Sequence, residues 1–179
     1  HTHLLDLGAN VDPSSEQLFQ YAVMGAELTS AVDNVVNPSV ALLNVGAEEI
    51  KGNDRVKQAA LLLDESHLNY VGFVEGNDIY SSKVDVIVCD GFSGNIALKA
   101  SEGVAKLFGA QAKKEFERSF YGKFAELVSS PVLKSIRRKI DPRRYNGASL
   151  LGLKGIVVKS HGGADKLSFA NAIDEAIKE

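Results

Sequence analysis

VDVIVCDGFSGNIALKASEG, Val84 to Gly103, decides the fold. Its first six residues are Val84-Asp85-Val86-Ile87-Val88-Cys89, a short β-branched apolar run that stops at Asp90-Gly91. A run of that length, bounded by turn residues, predicts a strand buried on both faces. Ser93 then stands where a helix cap belongs, and a long helix is expected from Gly94 to about Glu117. Ile96, Ala100, Val104, Leu107 and Phe108 fall on one stripe of that helix. A buried strand feeding directly into a long helix is the repeating unit of a parallel sheet.

The same alternation extends in both directions. Leu4 to Leu7 predicts a short buried strand. Asp12-Pro13 predicts the start of a helix reaching about Ala31, with Asp12 as cap and Pro13 at the first helical position. Val40 to Val45 is a second strand, and Asn53 or Asp54 caps a helix carrying Val56, Ala59, Ala60 and Leu63. Tyr70 to Val74 is a third strand, and Val84 to Cys89 the fourth. Downstream, a helical region from Phe120 to about Ile140 is broken at Pro131. Gly155 to Lys159 is a last strand and Asp165 to Lys178 a closing helix. Strands alternating with helices predict an α/β fold, three layers deep, with a mostly parallel sheet covered on both faces.

The whole chain sets bounds on function. Its 179 residues suit one domain or one lobe of a larger one. It is 45% apolar and 24% charged, as ordinary globular proteins are. A formal net charge of −3 gives no overall pull toward nucleic acid. The single cysteine, Cys89, excludes an internal disulfide and fits a reducing compartment. Inside its apolar run it reads as a buried strand thiol. A catalytic thiol is the alternative, because a helix N-terminus follows it. No stretch approaches the ~20 apolar residues of a spanning helix. His1-Thr2-His3 leads straight into a strand, and a chain that opens inside a strand is expected to have lost what preceded it.

Four predicted strands end in small, polar, glycine-bearing loops. These are Asp6 to Asn10, Asn44 to Glu48, Asp90 to Asn95, and Ser160 to Asp165. On a parallel sheet all four would share the rim beyond the carboxyl ends of the strands, where such folds bind ligands. The Asp90 to Asn95 loop carries the most chemistry. Backbone amides at the start of its helix are free donors at the positive end of the dipole, suited to phosphate or an acyl-phosphate. Gly91 and Gly94 remove side chains that would block such an anion, Ser93 caps the helix, and Lys99 lies about a turn further on. The bland alternative is a plain strand-to-helix turn with Lys99 in water. Histidine is the side chain best matched to proton transfer near neutral pH, so His161 suits a general acid or base, or equally a polar loop residue. His67, at a helix end, reads as structural. Asp6, Glu48, Glu75 and Asp90 stand near strand ends and are available for orienting a polar network. There is no HExxH, no EF-hand pattern, no Cys/His cluster, no Walker A and no G-x-G-x-x-G, so neither a metal nor a nucleotide is indicated.

The one charge anomaly is basic. Lys134, Arg137, Arg138, Lys139, Arg143 and Arg144 are interrupted by Asp141 alone and interleave with Val132, Leu133, Ile136 and Ile140. A basic amphipathic helix docks an acidic partner or lies on an anionic membrane. A solvated helix face with an ordinary buried stripe explains it as well.

Taken in order, LDLGANVD (Leu5 to Asp12), FQYAVMG (Phe19 to Gly25), NPSVALLNVGAEEIKGN (Asn37 to Asn53), NYVGFVEGNDI (Asn69 to Ile79), VDVIVCDGFSGNIALKASEG, YNGASLLGLKG (Tyr145 to Gly155) and VVKSHG (Val157 to Gly162) resemble the PlsX phosphate acyltransferase family. The resemblance covers essentially the whole chain and matches the C-terminal half of that family, whose N-terminal half is absent here. It implies a fold like isocitrate and isopropylmalate dehydrogenases and phosphotransacetylases. It also implies transfer of a fatty acyl group from acyl-carrier protein to inorganic phosphate, giving acyl-phosphate for phospholipid synthesis, with no cofactor. Homodimers, a cytoplasmic location and peripheral association with the membrane follow from it too. The region matching Phe120 to Tyr145 is implied to be a projecting helical element for carrier-protein or membrane contact; it is also the most divergent.

On this reading Asp90, Asn95, Lys99 and His161 are the expected catalytic residues. Gly8, Asn10, Gly91, Ser93, Gly94 and Gly162 are expected to hold phosphate or acyl-phosphate. Phosphate is already a nucleophile, so positioning supplies much of the acceleration. A dehydrogenase of the same fold would need a nicotinamide site and clustered aspartates for a metal. A non-catalytic carrier-protein or membrane-docking module, using Lys134 to Arg144, is the rival from another class.

Overall fold

A computed structural model of the chain describes residues 2–141, 143 and 146–179; for Arg137, Lys139 and Ile140 it describes the backbone alone. Four strands, β1 (His3–Leu5), β2 (Ser39–Leu43), β3 (Asn69–Val74) and β4 (Val86–Val88), form one sheet in the order β1-β4-β2-β3. Every neighbouring pair is parallel. The crossovers are α1 (Ser15–Asp33) and α2 (Asp54–Asp64), and β4 feeds α3 (Gly91–Glu117). A parallel sheet flanked by helices is the architecture of a three-layer α/β/α fold, as the alternating pattern predicts.

Alternation along the strands sorts the side chains. Val40, Leu42, Val86 and Val88 face α1 and α2 and bury against Leu18, Ala22, Ala26, Ala59, Ala60 and Leu63. Ala41 and Ile87 point the other way and join Val74 and Val84, with Leu4, Leu43 and Ile79 packed at the margin. Small residues at Ala22, Ala26, Ala59 and Ala60 let the helix axes approach the sheet. In β3 the register slips between the pairs Val40–Tyr70 and Leu42–Phe73. Gly72 takes φ +92° there, where a side chain would be strained, and absorbs the bulge.

Several helix starts differ from expectation. α1 begins at Ser15, not Pro13, and its cap is Ser14 rather than Asp12. The Ser14 hydroxyl accepts from Gln17 N, while Gln17 Oε1 accepts from Ser14 N at 2.8 Å. This reciprocal pair outcompetes a lone Asp cap. Asp12 is instead taken by Arg55. For α3 the cap is Asp90, not Ser93, because a carboxylate one turn earlier reaches the Ser93 amide. Asn53 caps α2 as expected, accepting from Val56 N at 2.9 Å.

The chain divides into two compact units, one running to Leu98 and including Glu179, the other Lys99–Lys178. The second holds the rest of α3, α4 (Phe120–Ile140), a two-stranded antiparallel sheet of β5 (Ala148–Ser149) and β6 (Val158–Lys159), and α5 (Lys166–Lys178). Pro131 lies inside α4 and does not break it. Its missing amide costs one ladder bond, and the flanking turns continue. The expected last strand, Gly155 to Lys159, shrinks to two residues that pair only with β5. The Ser160 to Asp165 loop therefore follows a strand of the two-stranded sheet and not, as expected, a strand of the parallel one. The α3 stripe is also not a core: Leu107 and Phe108 are 69% and 75% exposed.

Candidate active site

Two loops at the carboxyl edge of the sheet are built into each other. After β1 the chain turns at Asp6, whose carboxylate accepts from the amides of Gly8, Ala9 and Asn10 at 2.7–2.8 Å. That turn lies against the start of α3. Gly91 N donates to Asn10 O at 2.8 Å, Asp6 N to Cys89 O at 3.0 Å, and the Cys89 thiol to Asp6 O at 3.4 Å. A β-carbon on Gly94 would stand 1.8 Å from Asp6 O, so only glycine fits. Asn95 lies within 3.4 Å of where a Gly8 side chain would begin.

Asp90 closes the helix start. Its carboxylate accepts from Ser93 N at 2.7 Å and from the Ser93 hydroxyl at 2.9 Å. With Gly91 N on Asn10 O and Gly94 N on Asp90 O, three of the amides expected to cup an anion are committed inside the protein. Gly91 and Gly94 answer to the close approach of the Asp6 to Asn10 backbone.

Gly8, Asn10, Asp90, Gly91, Ser93, Gly94 and Asn95 thus converge at one edge. The remaining expected site residues belong to the second unit. Lys99 pairs with Glu102 at 3.2 Å. His161 Nδ1 accepts from Gly163 N at 3.1 Å, and His161 and Gly162 are exposed. Asn146, which sequence reasoning passed over, orders this loop. Its amide donates to Ser160 Oγ and Ser168 O at 2.8 Å each, and its oxygen accepts from His161 N at 2.9 Å. Position in YNGASLLGLKG was the available signal, because an Asn before a Gly is a turn-former with a versatile side chain.

In the basic stretch, Lys134 and Arg138 are exposed. Arg143 is not an idle cation: Asp141 and Asp165 both take its guanidinium, at 2.7 and 3.1 Å. The Ser168 amide and hydroxyl and then Arg143 pull the Asp165 carboxyl down to about 2. Arg144 lies outside the described residues, as do the side chains of Arg137 and Lys139.

Between the carboxyl ends of β2 and β4 and the start of α2 is a cavity of about 250 Å³. Leu18, Leu42, Val56, Val88 and Cys89 give it apolar walls, and Asn44, Asn53, Asp90 and Ser93 border it. Burial, then the Asp90 charge, pushes the Cys89 thiol up to about 12, so Cys89 is an unionised wall rather than a nucleophile at neutral pH. Among the described residues no group of three or more His, Cys, Asp or Glu is arranged to hold a metal, and no helix is long and apolar enough to cross a membrane.

Comparison with known proteins gives a consistent answer. The family described as fatty acid synthesis protein matches residues 1–179. The phosphate acyltransferase of Nitrosococcus oceani is 58% identical over 179 residues, covering 100% of this chain and 53% of that protein. That of Methylococcus capsulatus is 59% identical, again over 100% and 53%. The Legionella pneumophila protein is 56% identical over 99% and 52%. The chain spans about half the length of the curated relatives it matches.

Proposed function

The chain belongs to the fatty acid synthesis protein family, the PlsX-type phosphate acyltransferases, and from that membership we propose that it supplies one wall of an active site that moves a fatty acyl group from acyl-carrier protein to inorganic phosphate. The observation that carries this reading is the interlock of the Asp6 to Asn10 turn with the start of α3, beside an apolar cavity.

In the reaction a phosphate oxygen attacks the thioester carbonyl carbon. A C–O bond forms, the C–S bond breaks, and the carrier leaves as thiolate and takes up a proton. Four groups are assigned to this. Asn95, exposed at the interlock, donates to the oxyanion. Lys99 offsets phosphate charge, leaving its Glu102 partner to do so. His161 donates the proton to the departing sulfur. Asp90 holds the loop by capping α3. Gly8, Asn10, Gly91, Ser93, Gly94 and Gly162 shape the backbone around the phosphate. Because the helix-start amides are largely committed, side chains rather than amides carry most of the charge stabilisation. No cofactor enters this scheme.

The test is turnover of acyl-carrier protein thioester with inorganic phosphate by the full-length protein. Asn95→Ala is expected to lower kcat by about 10²-fold, in the range for removal of one oxyanion donor, with the fold intact. Unchanged turnover removes the assignment.

The proposed partners are acyl-carrier protein, a second copy of the chain, and an anionic membrane surface met peripherally from the cytoplasm. Exposed apolar residues on α4, such as Phe120 and Phe124, and the exposed Lys134 and Arg138 support this. The same features favour a second reading, a docking module without chemistry. Arg138→Glu separates them. In an enzyme it raises KM for the carrier-bound donor more than for a small thioester. A docking module turns over neither.

A further inference from the structure

The Ser160 to Asp165 loop has little packing to hold it in one shape. His161, Gly162 and Gly163 are exposed. A β-carbon on Gly162 would meet nothing within 4 Å, and one on Gly163 would meet only the His161 ring. Hydrogen bonds must therefore fix the turn. From within the loop, Ala164 N donates to His161 O at 3.0 Å and Gly163 N to His161 Nδ1 at 3.1 Å, which turns Nε2 away from the loop. From outside it, Asn146 uses both donors and its acceptor. Its Nδ2 donates to Ser160 Oγ and Ser168 O at 2.8 Å each, and its Oδ1 accepts from His161 N at 2.9 Å. A carbonyl only accepts and an amide N–H only donates, so the Asn146 side chain fits in one orientation.

The support under Asn146 is firm, and it lies in the same unit as the loop. Gly147 takes φ +120°, and a β-carbon there would stand 3.1 Å from Ala172 Cα and 3.2 Å from Val158 Cγ1. The chain is thus pressed against α5 and β6 at this point, in a conformation that favours glycine. Ser168, 5% exposed in the first turn of α5, accepts from Asn146 through its carbonyl and donates its amide and hydroxyl to Asp165 Oδ1 at 2.9 and 2.8 Å. Asp165 in turn takes Arg143. We propose that Asn146 is the positioning residue for His161. It ties the first residue of the exposed turn to the buried start of α5, and so holds the imidazole where it can give its proton to the departing sulfur. The role of His161 in proton transfer rests on the acyltransferase reading; the placing of His161 by Asn146 rests on these bonds alone.

Both statements are tested on the full-length protein. With isotope-labelled histidine, the NMR signals of the His161 amide and ring are identified by their loss in His161→Gln. Asn146→Ala is expected to shift the amide signal toward that of an unbonded amide and to collapse the ring signals toward those of a freely rotating side chain. Ser160→Ala removes one partner of Asn146 but not the bond to His161 N, and should leave both signals in place. Unmoved His161 signals in Asn146→Ala overturn the proposal, as does an equal shift in Ser160→Ala. In turnover, Asn146→Ala should lower kcat by about 10- to 100-fold, the scale of a small misplacement, with KM for phosphate unchanged. On a His161→Ala background the same substitution should cost nothing more, because a group acting only through His161 has nothing left to hold. Equal losses on both backgrounds, or unfolding of Asn146→Ala by circular dichroism, make the residue merely structural and overturn the proposal. If His161→Ala turns over normally, the proton-transfer role of His161 falls, and the NMR signals alone decide its placing. A full-length protein without turnover overturns the acyltransferase reading alone.

Discussion

At Gly94 there is no room for a methyl group: the Asp6 carbonyl oxygen stands where its hydrogens would go, and the Cys89 sulfur is 2.9 Å from the β-carbon position. Both obstacles belong to rigid backbone or core, so neither yields cheaply. Gly94→Ala is expected to destabilise the protein by about 3 kcal/mol, the upper end for overpacking, and to separate the two loops. Urea unfolding measures it, and a loss below about 1 kcal/mol would mean the loops are not interlocked as described. Cys89 makes a second residue-scale case. A thiol raised by burial toward about 12 stays protonated in the folded chain where the unfolded chain has begun to ionise. Stability from this group is full below the ordinary thiol pKa and falls as pH rises toward about 12. Iodoacetamide at pH 8 should therefore label unfolded chains quickly and folded ones slowly. Cys89→Ser removes this alkaline dependence. Fast labelling of the folded chain would contradict the burial. The alternative raised by sequence, a catalytic thiol activated by the following helix, fails for the same reason: Asp90, not a cation, is the charge beside it.

Among the elements, helix starts separate what sequence reveals from what it conceals. At α2 the sequence narrowed the cap to Asn53 or Asp54, and Asn53 takes it by accepting from Val56 N. Asp12-Pro13 and Ser14-Ser15-Glu16-Gln17 compete, and the reciprocal Ser14–Gln17 pair wins only once both bonds are counted. Ser14→Ala should cost about 1 kcal/mol, the usual loss for a cap. Asp12→Ala should cost less, because its partner Arg55 is an exposed ion pair worth little. Thermal or urea unfolding of the two variants decides it, and the reverse order would move the helix start back to Pro13. The same competition explains Asp90 over Ser93 in α3. The parallel strands were legible from short apolar runs between turns. The fate of Gly155 to Lys159 was not, since apolar composition cannot tell a sheet strand from a two-residue antiparallel ladder. Periodicity likewise announced the apolar stripe of α3 but not what, if anything, covers it.

For the molecule as a whole, burial is unevenly shared. Of the buried hydrophobic residues, those from Leu18 to Cys89 all lie in the first unit, and Ala172 is the one described in the second. Val104, Leu107, Phe108, Phe120 and Phe124 are more than half exposed on α3 and α4. Helices with little tertiary packing hold together mainly through propensity, which is marginal at this length. Native-state hydrogen exchange should therefore find two levels of protection. Amides of β2 and β4 should open only with global unfolding, while amides of α4 should exchange by local opening, orders of magnitude sooner. If a second copy covers the apolar faces, as the proposed homodimer requires, protection in α4 must rise with protein concentration, because association stabilises by mass action. The sheet amides, which open only with global unfolding, should gain protection with concentration as well, because association stabilises the folded state as a whole. Protection in α4 that equals the sheet's at every concentration would show that these helices need no cover, and the dimer would lose its structural support.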